Sequence, residues 1–131
     1  MDLEDLASRL ERAADQVGPE VNRTVQQQGR LLRALIMERA SGRPGPNVIT
    51  GDYRGSWKPE PFAVPDGGGV EIGTTQPQGR RLEFGFFEMY DVLGRFYRQP
   101  PFPHVGPAVN ELEGGYVDAF KQACDRIFGG A

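Results

Sequence analysis

Leu3, Leu6, Leu10, Ala14 and Val17 recur at helical spacing behind an acidic first turn, the charge a helix N-terminus favours, and predict a helix ending at Gly18. Pro19 suits the first position of a second helix, whose apolar face runs through Val21, Val25, Leu32, Leu35 and Ile36 to Ala40, about 30 Å at 1.5 Å per residue. Its polar middle, QQQGR, places Gly29 on the stripe side, where it predicts close approach of a neighbouring backbone.

Periodicity then disappears. SGRPGPNVIT (41–50) holds two prolines and two glycines and reads as an extended loop, mobile unless something outside the domain holds it. Thr50 is placed as N-cap of a short turn through Gly51 to Trp57. Phe62 and Val64, then Val70 and Ile72, alternate on either side of PDGGG, so this pair predicts a hairpin with its turn on the glycines. In PQGRRLEFGFFEMY, Leu82, Phe84, Phe86 and Phe87 crowd too closely for one face and predict a short helix or turn running into a strand. Aromatic and β-branched residues around Leu93-Gly94 predict a second extended hairpin within an arm over 86–105. Pro107 opens a last helix with Val109, Leu112, Tyr116, Phe120, Ala123 and Ile127 on one face, Gly114-Gly115 as a place to kink, and Gly129-Gly130 as its end. The expected fold is α+β over 1–131, a single domain: a small β-sheet of hairpins flanked by an N-terminal helix in two segments and a C-terminal helix.

Composition narrows the functions open to such a fold. At 131 residues and 38% hydrophobic content, the chain suits one modest core. Fifteen Lys plus Arg against eighteen Asp plus Glu leave a charge of -3, so no net basic field draws it to nucleic acid or an anionic membrane. Most of the cations are Arg, whose planar fork suits carboxylate partners across an interface. The acidic MDLEDLASRL lacks the cations and apolar core of a signal peptide, and no apolar run of membrane-spanning length follows, so a cytoplasmic setting without membrane contact is expected.

Candidate chemistry is sparse. The lone Cys124 reads as a small buried side chain beside the apolar stripe, and His104 as a turn or interface residue with no second histidine to share a metal. Glu83 and Glu88 lie near arginines and aromatics, where a structural ion pair is the commoner use of a carboxylate. The Gly67–Gly69 run is followed by neither Lys-Ser/Thr nor a helix start, which argues against a phosphate loop. No catalytic, metal or cofactor site is expected, and no enzyme.

Three stretches carry a resemblance: TGDYRGSW (50–57), RRLEFGF (80–86) and PPFPHVGPAVNE (100–111), in that order behind a long N-terminal helix. Together they resemble the neck or tail-completion family of long-tailed phages, the tail-component proteins. That family's pattern runs T-G-x-L-x-x-S, then an aromatic segment ending E-F-G, then P-x-P-F or P-x-P-H leading into a final helix that begins P-A. Thr50, Gly51 and Ser56 match the first motif, with Tyr53 where an aliphatic residue is usual. Glu83, Phe84 and Gly85 match the second, and Pro101, Pro103, His104, Pro107 and Ala108 the third. FEMYDVLGRFYRQ, between the second and third, is longer than the minimal pattern.

The resemblance implies a structural virion protein, made in the host cytoplasm and carried in the neck. It would form a homo-oligomeric ring of six subunits, otherwise twelve, between a head-closure (stopper) ring and the tail terminator and tail tube, around a lumen through which DNA passes without specific binding. Under that reading Arg43, Pro44, Pro46, Arg95, Pro100, Pro101, Phe102, Pro103 and His104 form an interface, with PPFPHVGP as a stiffened arm across a neighbour. A stiff connector within the subunit is the alternative for that segment. For TGDYRGSW the favoured reading is a capped turn burying Tyr53 and Trp57 within the subunit, and Phe84 is expected in the core. The rival function is nucleic-acid binding through Arg39, Arg43, Arg54, Arg80, Arg81, Arg95 and Arg98; a small hydrolase using His104 is weaker still.

Overall fold

A computed structural model describes residues 2–65 and 67–129, the side chains of 87 and 88 excepted. Helix α1 spans Leu3–Arg39 and helix α4 spans Val105–Gly129. Between them lie the short helix α2 (Asp52–Gly55), strands β1 (Lys58–Val64) and β2 (Gly67–Gly73), helix α3 (Gln78–Phe84), and strands β3 (Phe86–Tyr90) and β4 (Phe96–Gln99). The fold is α+β, as the sequence pattern predicts. Each hairpin makes its own two-stranded antiparallel sheet, β1 with β2 and β3 with β4, so the hairpins do not merge into one sheet.

α1 opens with a capping box: the Asp2 carboxylate accepts the Asp5 N–H at 2.8 Å while the Asp5 side chain accepts the Asp2 N–H. The expected break at Gly18-Pro19 does not occur, and α1 runs through it for 37 residues. An interior proline costs about 3 kcal/mol, partly through a clash with the preceding residue that Gly18 lessens by having no Cβ. Contacts on both sides outweigh the remainder: Ala13 is buried before the proline and Thr24 after it, and Arg126 of α4 reaches both Glu20 (2.8 Å) and Thr24 Oγ1 (3.3 Å).

β2 lies against the middle of α1. Here the glycine run has another use than the expected turn: Gly67, Gly68 and Gly69 are strand residues opposite Val64, Ala63 and Phe62. A Cβ on Gly68 would collide with the Asn22 side chain of α1, and one on Gly69 with the Phe62 ring of the paired strand β1, so β2 fits against α1 and under that ring only without side chains there. Gln26 Nε2 donates to the Gly69 carbonyl at 2.8 Å. Gly29 of α1 is buried under Val70; a neighbour does approach closely here, though it is the valine side chain and not the backbone expected.

α1 and α4 run antiparallel, with Arg39 reaching Glu111 near the start of α4 and Glu20 reaching Arg126 near its end. The core, Leu35, Ile36, Trp57 and Ala108 with Leu32, Tyr53, Ile72, Val105 and Leu112 around it, sits where the C-terminal half of α1 meets the start of α4. α4 begins at Val105 rather than Pro107 and continues unbroken through Gly114-Gly115 to Gly129; Gly130 lies outside the described residues. Its buried line is Ala108, Ala123 and Ile127. Cys124, one position and about 100° around the helix from Ala123, is therefore exposed rather than buried. Tyr116, expected on the covered face, is also exposed.

Candidate functional site

The three motifs meet at one joint, at the start of α4. Gly51 adopts a left-handed φ of 87° before α2, and Thr50 Oγ1 accepts the Asp52 N–H at 3.2 Å, so Thr50 supports the turn while Gly51 occupies the cap. The turn delivers Tyr53 and Trp57 inward, as expected. Tyr53, Trp57 and His104 form a triangle of edge-to-face rings with centroids 5.6 to 6.3 Å apart, each such pair contributing about 0.5–1.5 kcal/mol beyond its buried area. Arg33 of α1 donates to the Trp57 carbonyl and Ser56 Oγ meets Thr74 Oγ1, both at 2.5 Å, so the turn is tied to α1 and to the end of β2.

His104 is fully buried and every polar atom on it is engaged. Nδ1 faces the Phe102 carbonyl at 3.0 Å and Glu83 Oε2 at 3.1 Å, both acceptors, which assigns the ring proton to Nδ1. Nε2 then accepts the Tyr53 hydroxyl proton at 2.6 Å. Burial pushes the Tyr53 phenol up to about 12, with the Trp57 indole N–H partly opposing and the Glu83 charge adding to the rise. Trp57 Nε1 is buried without a partner in hydrogen-bond geometry among the described residues; its influence on the phenol is that of a nearby dipole.

Glu83 caps α4 from another element. Its carboxylate accepts the backbone N–H groups of His104 (2.8 Å), Val105 (3.0 Å) and Gly106 (2.9 Å). A helix leaves about four N–H groups without partners at its start. The fourth position is Pro107, which has no N–H, and Ala108 makes the first intrahelical bond, to the His104 carbonyl. Glu83 and Pro107 together therefore leave no orphan donor. Burial alone would raise the Glu83 carboxyl, but the three N–H groups and the His104 ring outweigh it and hold the carboxyl below the usual range. The side chain of Glu88, the other candidate carboxylate, lies outside the described residues.

Gly85 locks the same joint from below. Its φ is +69°, and a Cβ there would meet the Gln99 carbonyl oxygen at 2.5 Å, Pro101 N at 2.8 Å and Pro100 C at 2.9 Å. Phe102 N–H donates to the Leu82 carbonyl at 2.6 Å. The proline segment is thus clamped along α3 and fixes where α4 starts. Within the subunit PPFPHVGP is a connector; its outer edge, Pro100, Pro101 and Pro103, remains exposed.

The expected interface residues divide accordingly. His104 and Pro46 are buried inside the subunit and offer nothing to a partner, because each completes internal contacts: His104 those above, Pro46 a carbonyl bond from Gly42 N–H at 3.0 Å. Arg43 stacks 3.7 Å over the half-buried Phe102 ring and donates to the Gly45 carbonyl at 3.1 Å. The loop expected to need an outside hold is therefore held from within at 42–46, while Pro44 and the following Val48 and Ile49 are exposed. Around Arg43 and Phe102 opens a cleft of about 650 Å³, with Leu82 and Tyr53 contributing to its wall and Arg54 to its rim. Arg95 lies apart on the second hairpin, paired with Asp91, whose carboxyl is held low, against desolvation, by the backbone and side chain of Arg95, the Tyr97 hydroxyl and the Leu93 N–H. Phe84, expected in the core, is 71% exposed, because α3 turns its Leu82 side inward and Gly85 ends the helix immediately afterwards.

The remaining candidate groups are dispersed. Among the described residues no group of three metal-ligating side chains comes together. His104, just ahead of α4, and Cys124 within it lie twenty residues apart, about 30 Å along the helix axis, so they form no dyad. Of the seven candidate arginines, Arg39 pairs with Glu111, Arg43 lies on Phe102, Arg54 donates to Ser41 and Arg95 pairs with Asp91. No helix among the described residues is long and apolar enough to cross a membrane.

The capping role of Glu83 was the element missed in the sequence. A signal existed: His104-Val105-Gly106 offers no Ser, Thr, Asp or Asn, so the first turn of α4 must find its acceptor elsewhere. Comparison of the chain with protein-family models, with curated proteins and with solved structures returns no match.

Proposed function

We propose that this chain is a structural subunit of the head-to-tail connector of a tailed phage, forming a closed ring of six copies, otherwise twelve, between the head-closure ring and the tail terminator and tube. The observation that supports the reading is the convergence of TGDYRGSW, LEFGF and PPFPHVGPA on one joint. Tyr53, Glu83, Gly85 and His104 are in direct contact or opposed across it, although the motifs lie up to 50 residues apart. An ordered motif set acquired by chance has no reason to assemble into one interlocked unit; a set that encodes a family's fold does. The joint sets the angle of α4 on α1, and rigid subunit geometry is what lets a heterologous contact close into a ring instead of an open filament.

Native mass spectrometry and averaged particle images test this directly. The expected result is a closed ring on particles that carry the protein. Only a monomer or twofold dimer, even with cognate heads or tails present, overturns it.

A further inference from the structure

The apolar line on α1 that carries the buried Ala13 does not stop there. Leu3, Leu6 and Leu10 continue it at i, i+3 and i+7, and they are 83%, 43% and 55% exposed. The reason is the mismatch in helix length. Glu20 already meets Arg126, three residues from the end of α4, whereas seventeen residues of α1 precede Glu20, so the first turns of α1 project past their partner. Glu4 and Glu11 lie to one side of the leucine line beyond Ala7, seven residues apart on the same strip of helix, and Arg9 borders it on the other side. An i, i+3, i+7 set of leucines with an acidic flank is the pattern of a helix that lies in a groove.

A surface of matching character sits at the opposite end of the subunit. Arg80, Arg81 and Phe84 of α3 line a concavity of about 410 Å³ that ends at Gly85. The exposed Pro100 and Pro101 adjoin Gly85 on its other side. This face lies at the N-terminal end of α4, next to the Glu83 cap, while the α1 projection lies beyond its C-terminal end. The two are separated by the length of α4, about 37 Å for 25 residues. A subunit cannot bring its own leucines to its own arginines.

We propose that the first three turns of α1 from one copy dock on the Arg80–Arg81–Phe84 face of the next copy, the leucines on Phe84 and the adjoining prolines, and Glu4 and Glu11 towards the two arginines. The occupant is a second copy because the chain itself supplies the complementary charge: Glu4 and Glu11 along one side of the leucines, the side that would face Arg80 and Arg81, and these two cations beside the phenylalanine. The contact joins two different surfaces at opposite ends, so it repeats head to tail. It rests on the ring reading and names the surfaces through which that ring closes.

Disulfide trapping on the full chain tests it. With Cys124→Ser removing the exposed native thiol, Leu6→Cys and Phe84→Cys are prepared separately, mixed and mildly oxidised; both positions are exposed, so folding is unaffected. The mixed disulfide, joining position 6 of one copy to position 84 of another, is expected to exceed either like pair about tenfold, to fall about tenfold when Arg80 and Arg81 are both changed to Glu, and to return when Glu4 and Glu11 are changed to Lys in the other partner. Products in the proportions of random pairing, or a mixed product indifferent to both charge changes, overturn the proposal. A closed ring seen on particles whose oxidation yields no mixed disulfide removes this interface and leaves the ring; absence of any ring removes the reading beneath it.

Discussion

Replacing Glu83 with alanine takes the acceptor from three backbone N–H groups at once, at a helix start where the chain offers no substitute. Removing an ordinary N-cap side chain costs about 0.5–2 kcal/mol. Here the cap is charged, 13% exposed and spans two elements, so the loss includes charge-assisted bonds and the tie between α3 and α4. His104 is buried, so its N–H is left without water as well. Together these place the cost of Glu83→Ala at roughly 2–4 kcal/mol, a fall in melting temperature on the order of 10 °C for a chain of this size. Glu83→Gln keeps the shape but sets an amide NH2 against donors, and is expected to recover less than half of the loss. Urea unfolding followed by Trp57 fluorescence measures both, with Glu113→Ala, an exposed residue of α4, as the control. Glu83→Ala unfolding within about 0.5 kcal/mol of that control, the usual range for surface changes, would refute the capping argument.

Acid should act through the same carboxylate. Its folded value is depressed, so its stabilisation is present above the ordinary carboxyl range near 4.3 and is lost as the pH falls through and below it; the stability gap between wild type and Glu83→Gln should shrink between about pH 7 and about pH 3, and a constant gap would sink the assignment. Gly85→Ala forces a side chain into a left-handed backbone and against three backbone atoms of the 99–101 segment, and is expected to cost about 2–4 kcal/mol, measured by the same urea series; a loss under about 0.5 kcal/mol would show that the clamp yields. Gly29→Ala gains about 1 kcal/mol of helix propensity but drives a Cβ into Val70, so calorimetry should show a net loss of about 1 kcal/mol, and a stabilised variant would mean that β2 can lift off α1.

Local signals in the sequence were enough for the elements whose cause is local. The leucine and valine spacing of α1, the alternation of β1 and β2, and the aromatic strands either side of Leu93-Gly94 each depend on residues a few positions apart, and helix or strand forms at each of these places, although the two predicted N-terminal helices are one and β2 takes in the glycines expected to turn. Gly29 was legible for the same reason: a gap in an apolar stripe implies that something close must fill it. What failed were the positions where a distant contact outweighs a local preference. Pro19 is a helix breaker by its own chemistry, yet the burial of Ala13 before it and the grip of Arg126 on Glu20 and Thr24 after it keep α1 continuous, and Pro107 is a helix starter whose true start lies two residues earlier because Glu83 supplies the cap. The glycine run reads as a turn until α1 and the Phe62 ring of β1 require a strand without side chains at that place. Phe84 and His104 exchange their expected roles, the phenylalanine facing out and the histidine sealed in, because the left-handed Gly85 and the clamped prolines decide which way each side chain turns. Periodicity along the chain therefore determined what the elements are. Which carboxylate meets which helix end, and which apolar residues stay uncovered, was decided only when α3 came against the start of α4, by contacts between residues about 20 positions apart or more, which no local pattern encodes.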